Sequence, residues 1–235
     1  HNAMGRVSQW LQMIDDANDA GANIATETLS YAAGGTSISA DVFRNRDWQG
    51  MFDITHEDVQ WVATGEWLTE ETWNKYAREQ PGGAVNHHYV KEDWIETALK
   101  WPRMMVATDA LPAVDLRVKT NPNVAGTFSR VLGHYVRDTG LLTLSDGLAR
   151  MSLYQAQWLS QSSSSFDKKG RIQLGADADI VIFDPIKVQA NAAYGDPYQP
   201  PSGIPYVVVA GQIVVKNSVV VAGVYPGKRI LGDTK

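Results

Sequence analysis

The sequence contains no cysteine. That excludes a disulfide framework, cysteine-based zinc sites and a thiol nucleophile, and it leaves no redox clue to the compartment. A surplus of positive charge is also missing. The 21 basic and 26 acidic side chains leave a formal net charge of -5, the wrong balance for a nucleic-acid footprint. No run approaches the ~18 apolar residues that a membrane span requires. The longest, around Val207–Val215 and Val219–Val224, are short, β-branched and broken by Gly or Asn. No leader is visible, and the chain opens on His1-Asn2-Ala3-Met4-Gly5 without an initiator Met. What is present is 235 residues, 44% of them hydrophobic. At ~150 residues per domain this allows one or two domains, with a sizeable core. The expectation is a soluble, cytoplasmic protein whose partner is a small-molecule substrate, with no nucleic acid and no membrane; homo-oligomerisation is left open.

The hydrophobic spacing alternates between helix and strand. Val7, Trp10, Leu11, Ile14 and Ala17 recur at helical intervals, with Ser8 as a candidate cap and Gly21 as a stop. Ala22–Tyr31 reads as a strand ending at Ala33-Gly34-Gly35. Residues 41–82 are irregular and rich in aromatics, among them Trp48, Phe52, Trp61, Trp67 and Trp73. They suit either a lid or a covering subdomain whose rings simply pack. Strand–helix alternation returns with Gly83–His88, Lys91–Lys100 and Arg103–Asp109, and two helices follow, striped by Phe128, Val131, Leu132 and Tyr135 and by Leu148, Met151 and Trp158. Beyond a four-serine stretch, Ser162–Ser165, read as a linker, short β-branched runs are separated by turn residues such as Ala210-Gly211 and Asn217-Ser218. These predict a small antiparallel β unit.

Alternating strands and helices with polar residues at the strand ends suggest part of a (β/α) barrel, in which sites gather at the C-terminal ends of strands. The strand-end polar residues are His1, Glu27 or Tyr31, His87-His88 and Asp109. Histidines and carboxylates converging from separate strands can hold a metal. A nearby carboxylate can take the proton of a metal-bound water, and Asp109 is the best candidate for that base. An Asp after an apolar strand serves equally as a turn former, and spacing leaves both readings open. His87 and His88 are adjacent, so on a strand they face opposite ways. His56 and His134 have no partner in the sequence and are read as structural.

Several motifs then point further. Gly170-Arg171-Ile172, Leu174-Gly175-Ala176-Asp177 and Ala178–Pro185 together form a tight turn, a buried strand and a proline stop. This resembles the C-terminal strand signature of the amidohydrolase superfamily. Ala125–Gly133 and Thr143-Leu144-Ser145 leading into Ala149-Arg150-Met151 look like the segment after barrel strand eight in its D-aminoacylase branch, the N-acyl-D-amino-acid deacylases. Ser30–Thr36 is similar to that family's strand-six turn. The resemblance covers essentially the whole chain.

The resemblance implies the C-terminal half of a (β/α)8 TIM-type barrel plus part of a small β-sandwich domain. Residues 1–160 would hold barrel strands five to eight, with an insertion at about 36–82, and residues 161–235 the β-sandwich segment. It implies a metal-dependent hydrolase of a non-peptide C–N amide bond, N-acyl-D-amino-acid deacylase-like, carrying one or two zinc or other divalent ions. Asp109 matches the catalytic acid/base and metal ligand at the end of strand eight, and His1 the zinc ligand at the end of strand five. His88 matches a strand-seven substrate contact; Tyr31 is a further candidate contact, and Arg117 or Lys119 would meet a substrate carboxylate. Alternatives are a cyclic amide or ureide hydrolase and a catalytically inactive amidohydrolase-like binding protein. The inactive reading draws on two departures: no His stands in Glu27–Tyr31, where the family carries one, and Asn121-Pro122-Asn123 replaces its His-Pro-Arg. A complete eight-unit barrel takes ~250 residues by itself, so 235 residues that include a β unit are expected to be part of a longer protein.

Overall fold

A computed structural model describes residues 4–110 and 115–233 as a mixed α/β structure. The first helix, α1 (Val7–Asp19), buries Leu11 and ends before Gly21, whose positive φ suits the stop. Ser8 lies inside its first turn, not at its cap. Of the strand expected over residues 22–31, only β1 (Glu27–Thr28) forms.

A second unit follows. It comprises β2 (Gly34–Ser37), α2 (Asp41–Arg44), α3 (Trp48–Phe52), β3 (Val59–Trp61), β4 (Glu66–Trp67), α4 (Glu70–Glu79) and β5 (Ala84–His87). Its strands make one antiparallel sheet in the order β2-β5-β3-β4. The expected strand at 83–88 therefore exists, but it is hydrogen-bonded into this sheet. The unit takes in residues on both sides of 36–82. The reason is packing: Val85 enters a core with Val59, Trp61, Trp48, Trp73 and Phe43. Trp48 stacks on Trp73 at 4.9 Å, with Phe43 edge-on to both. These aromatics form a core, as the packing alternative required. Gly83 is forced by the same core, because a Cβ there would lie 1.9 Å from the Trp61 ring. Helix α4 starts after Thr69, whose hydroxyl accepts from the Thr72 N–H, and carries Glu70 and Glu71 in its first turn.

The chain then forms α5 (Glu92–Lys100) and β6 (Met105–Val106). Strand β6 lies parallel to β1, pairing Glu27 with Met105 and Thr28 with Val106. Helix α6 (Asn123–Arg130) runs on through a π-helical stretch, Val131–Asp138; α7 (Leu144–Leu148) does the same through Ala149–Leu153 into α8 (Tyr154–Leu159). Ile95, Leu99, Val106, Val131, Tyr135 and Leu142 form the core between them. So the parallel pair is backed by helices, as a βα unit needs.

The serine stretch is not a free linker. Ser163 is buried, the Ser164 N–H donates to Asp233 at 2.8 Å, and the Asp233 N–H donates to the Ser162 carbonyl. Beyond it, β7 (Ile180–Ile182), β8 (Tyr206–Val209), β9 (Gln212–Lys216) and β10 (Val219–Val220) form an antiparallel sheet in the order β10-β9-β8-β7. Its two tight hairpins are the predicted Ala210-Gly211 and Asn217-Ser218, all four with positive φ. That geometry matches the twist of the flanking strands. No helix among the described residues is long and apolar enough to cross a membrane.

Candidate active-site cleft

Asp109 lies three residues beyond β6, on the side where the parallel strands end. It is exposed, has a φ of 48° and lines a cleft of about 500 Å³. A left-handed backbone at a non-glycine residue is a strained conformation that clusters at functional sites. The carboxylate has no hydrogen bond or ion pair to any described residue. Facing it across the cleft are Gly35 and Thr36 of β2, Asn86 of β5, and Asp115, Lys119 and Asn121 from the segment before α6. The cleft thus runs between the end of β6 and one face of the antiparallel sheet.

The charges along it are already sorted. Arg117 grips Asp115 through two contacts, Nη2 to Oδ2 at 2.7 Å and Nε to Oδ1 at 2.9 Å. This holds the Asp115 carboxyl below its usual range. Arg117 is therefore engaged with its neighbour and does not line the cleft. Lys119 lines it and pairs with no described residue. Asn121 Oδ1 accepts from the Asn123 N–H at 3.1 Å, which turns the chain into α6. Asn123 is buried and bonded to Thr127.

Three of the expected site residues lie elsewhere. Tyr31 donates its hydroxyl to the Ala192 carbonyl at 2.9 Å, beneath Arg130 and edge-on to Tyr194. Its phenol is a structural tie, and burial pushes its pKa up. His88 sits between the Trp67 and Tyr194 rings, at 4.7 and 4.6 Å, with Nε2 buried and unbonded. Desolvation lowers its pKa. His87 points the other way, as strand alternation requires, into Phe43, Phe52 and Tyr89; burial pushes it down to about 4. Neither histidine lines the cleft. The third, Arg117, is held by Asp115, as described. Glu27 lies exposed on β1, beside a groove against α1 and α5. His1 lies outside the described residues.

Sequence reasoning missed Asn86. Its signal was an amide within a short strand, between Val85 and His87. It also missed Glu92, which accepts from Arg130 at 2.9 Å and from the Tyr135 hydroxyl at 2.5 Å. Arg130 in turn donates to the Ser30 carbonyl. This charge-assisted set clamps the segment after β1 to α6. His134 joins it, 3.5 Å from Glu92, and His56 packs on Trp48 and Trp73. Among the described residues no group of three or more His, Asp or Glu could hold a metal ion.

Comparison with known proteins places this geometry. The model of the amidohydrolase family matches residues 7–215. The chain belongs to the amidohydrolase family. It is 30% identical over 216 residues to a D-aminoacylase of Alcaligenes xylosoxydans xylosoxydans, covering 88% of this chain and 42% of that protein. It is 29% identical to an N-acyl-D-glutamate deacylase of the same organism, covering 88% of this chain and 41% of that one. Among solved structures, a D-aminoacylase with a binuclear metal centre superposes with a TM-score of 0.76 at 26% identity, over 97% of this chain and 46% of that one. An N-acyl-D-glutamate deacylase from Bordetella bronchiseptica, complexed with zinc and a phosphonate inhibitor, does so with a TM-score of 0.73 at 28% identity, over 89% and 43%. This amidohydrolase chain therefore spans less than half the length of the relatives it matches.

Proposed function

We propose that this chain carries part of the active site of an N-acyl-D-amino-acid deacylase, a hydrolase of non-peptide C–N amide bonds. In that reading β1 and β6 belong to the C-terminal half of a (β/α)8 barrel, and β7 to β10 to part of a small β-sandwich. The observation that carries it is Asp109, which pairs with no other described residue and lines a cleft at the end of a parallel strand. Its carboxylate takes a proton from the attacking water and returns it to the leaving nitrogen. Lys119 would receive a substrate carboxylate.

The solved neighbours name zinc and a binuclear metal centre, and one or two zinc ions are expected of the whole protein. The described residues do not make that site. Beside the already paired Asp115, Asp109 is the one carboxylate they bring to the cleft, and neither His87 nor His88 lines it. No step is therefore assigned to a metal. A second reading, an inactive binding protein of the family, draws on Asn121-Pro122-Asn123 and on the lack of a His within Glu27–Tyr31.

The test is hydrolysis of paired N-acyl-D- and N-acyl-L-amino acids by the whole protein, with and without Asp109→Asn. Turnover of the D series, lost by 10²–10⁴-fold in the variant, supports the deacylase. Equal turnover of both series, or a variant as active as the parent, overturns it. No turnover in either series, with zinc supplied, favours the inactive reading.

A further inference from the structure

The connection between β7 and β8 leaves its own sheet and reaches the cleft. Its base is closed by two backbone hydrogen bonds between Gln189 and Ser202, and Asn191 Nδ2 donates to the Pro200 carbonyl and the Ser202 hydroxyl. Its tip is a tight turn in which Ala193 and Asp196 exchange backbone hydrogen bonds. Pro197 is fully buried, and Pro200 and Pro201 follow. Fixed φ values and paired backbone make this a stiff loop.

The loop touches both sides of the cleft. Tyr194 packs on His88, just beyond β5, and Gly195 meets the β3–β4 turn so closely that a Cβ on Gly65 would lie 3.4 Å from its Cα. Three residues on, Tyr198 lines the cleft, and its hydroxyl donates to the Val118 carbonyl at 2.5 Å. Among the described residues this is the only hydrogen bond that reaches residues 115–120 from another part of the chain. The other bonds there are local: Arg117 to Asp115, and the Val118 N–H to the Asp115 carbonyl. Val118 itself is exposed, so packing does not hold it. The residue next to it is Lys119, the cation of the cleft.

We propose that Tyr198 is a positioning residue: by holding the Val118 carbonyl it fixes where the Lys119 side chain starts, and so aims the ammonium at the substrate carboxylate. The sheet of β7 to β10 thereby contributes to the site through its connecting loop. The proposal rests on the deacylase reading for the nature of the ligand. A long, flexible lysine on an untethered wall would have to be ordered when substrate binds, at a cost in affinity. A tether made beforehand removes that cost. Asp109 is held separately, beyond β6, so the effect belongs in KM and not in kcat.

The experiment compares the whole protein with Tyr198→Phe, Lys119→Ala and the double variant on N-acetyl-D-leucine and N-acetyl-D-glutamate. Tyr198→Phe keeps the ring in the cleft and removes only the hydroxyl. It should raise KM about fivefold and leave kcat within about twofold. Added to Lys119→Ala, it should change KM by no more than about twofold, because no ammonium remains to be aimed. An unchanged KM in Tyr198→Phe overturns the proposal, as does a fall in kcat alone, or a fivefold effect that persists without Lys119. Calorimetry in the Asp109→Asn background should show the same change in Kd. Binding without hydrolysis by the parent ends the deacylase reading, and the Kd ratio then decides the role of Tyr198. Hydrolysis with a KM indifferent to Tyr198→Phe does the reverse. A parent that neither binds nor hydrolyses either compound overturns both.

Discussion

Gly126 lies within α6, in the Ala125–Gly133 motif, and its replacement by alanine sets two effects against each other. In a helix interior alanine is favoured over glycine by about 1 kcal/mol, and no positive φ forbids it here. Propensity alone therefore predicts stabilisation. Packing predicts the opposite. A Cβ at position 126 would lie 2.0 Å from the Tyr31 hydroxyl oxygen and 2.9 Å from Cζ. Tyr31 cannot simply swing away. Its hydroxyl is bonded to the Ala192 carbonyl, and its ring is covered by Arg130 and met edge-on by Tyr194. Overpacking of this kind costs about 1–3 kcal/mol, and the displaced hydrogen bond about 0.5–1.5 kcal/mol. After the propensity gain, Gly126→Ala should destabilise by about 1–3 kcal/mol, a fall in Tm of roughly 2–12 °C for a chain of this size. Urea unfolding of Gly126→Ala, Tyr31→Phe and the double variant isolates the clash. Removing the hydroxyl deletes the 2.0 Å contact, so Gly126→Ala should cost about 1–2 kcal/mol less in the phenylalanine background. A stabilised Gly126→Ala, or one equally costly in both backgrounds, would refute the packing argument.

Two further outcomes follow from the charges. His87 is neutral and buried, with its pKa pushed down to about 4 from 6.5, so between those values the unfolded chain binds more protons than the folded one. Stability should therefore be fully present above about pH 6.5 and fall as the pH drops toward 4, by up to about 3 kcal/mol. Urea midpoints across that range should show the slope, and His87→Phe should flatten it; an unchanged slope would assign the acid sensitivity to other groups. At the cleft, Lys119→Ala should raise KM for a carboxylate-bearing substrate about tenfold, while Arg117→Ala should leave KM and stability near the parent's, because its guanidinium is exposed and held by Asp115. Steady-state kinetics on both variants checks this, and the reverse ranking would mean that Arg117 leaves Asp115 to meet the substrate.

Much of the fold was legible because its signals are local. Thr69 with its two following glutamates, Thr143 before α7, and the Ala210-Gly211 and Asn217-Ser218 turns act within a few residues, and each element begins or turns at them. The strand at 84–87 was legible as a strand, but its partners were not. Alternation says which residues share a face; it does not say which edge is met. Val85 and His87 would fit either sheet, and only the aromatics of residues 43–73 decide that they turn toward the aromatic core.

The site divides in the same way. Asp109 could be picked out because a polar residue ending an apolar run is a one-dimensional signal. Tyr31, His88 and Arg117 could be nominated by residue type but not assigned, since each is defined by a partner that spacing does not reveal. Ala192 lies 161 positions from Tyr31, Tyr194 stands against His88, and Asp115 is chemically equivalent to the other acids nearby. Tyr31 and Arg117 are satisfied by the protein first, and His88 is walled off from the cleft by the Trp67 and Tyr194 rings. Asn86 is the converse: an unremarked residue in the sequence becomes informative because it is buried and its Nδ2 bonds to no described residue. Candidates in this cleft are therefore ranked by what the fold leaves unpaired rather than by residue type, and by that measure Asp109 and Lys119 are the charged groups that no other described residue engages.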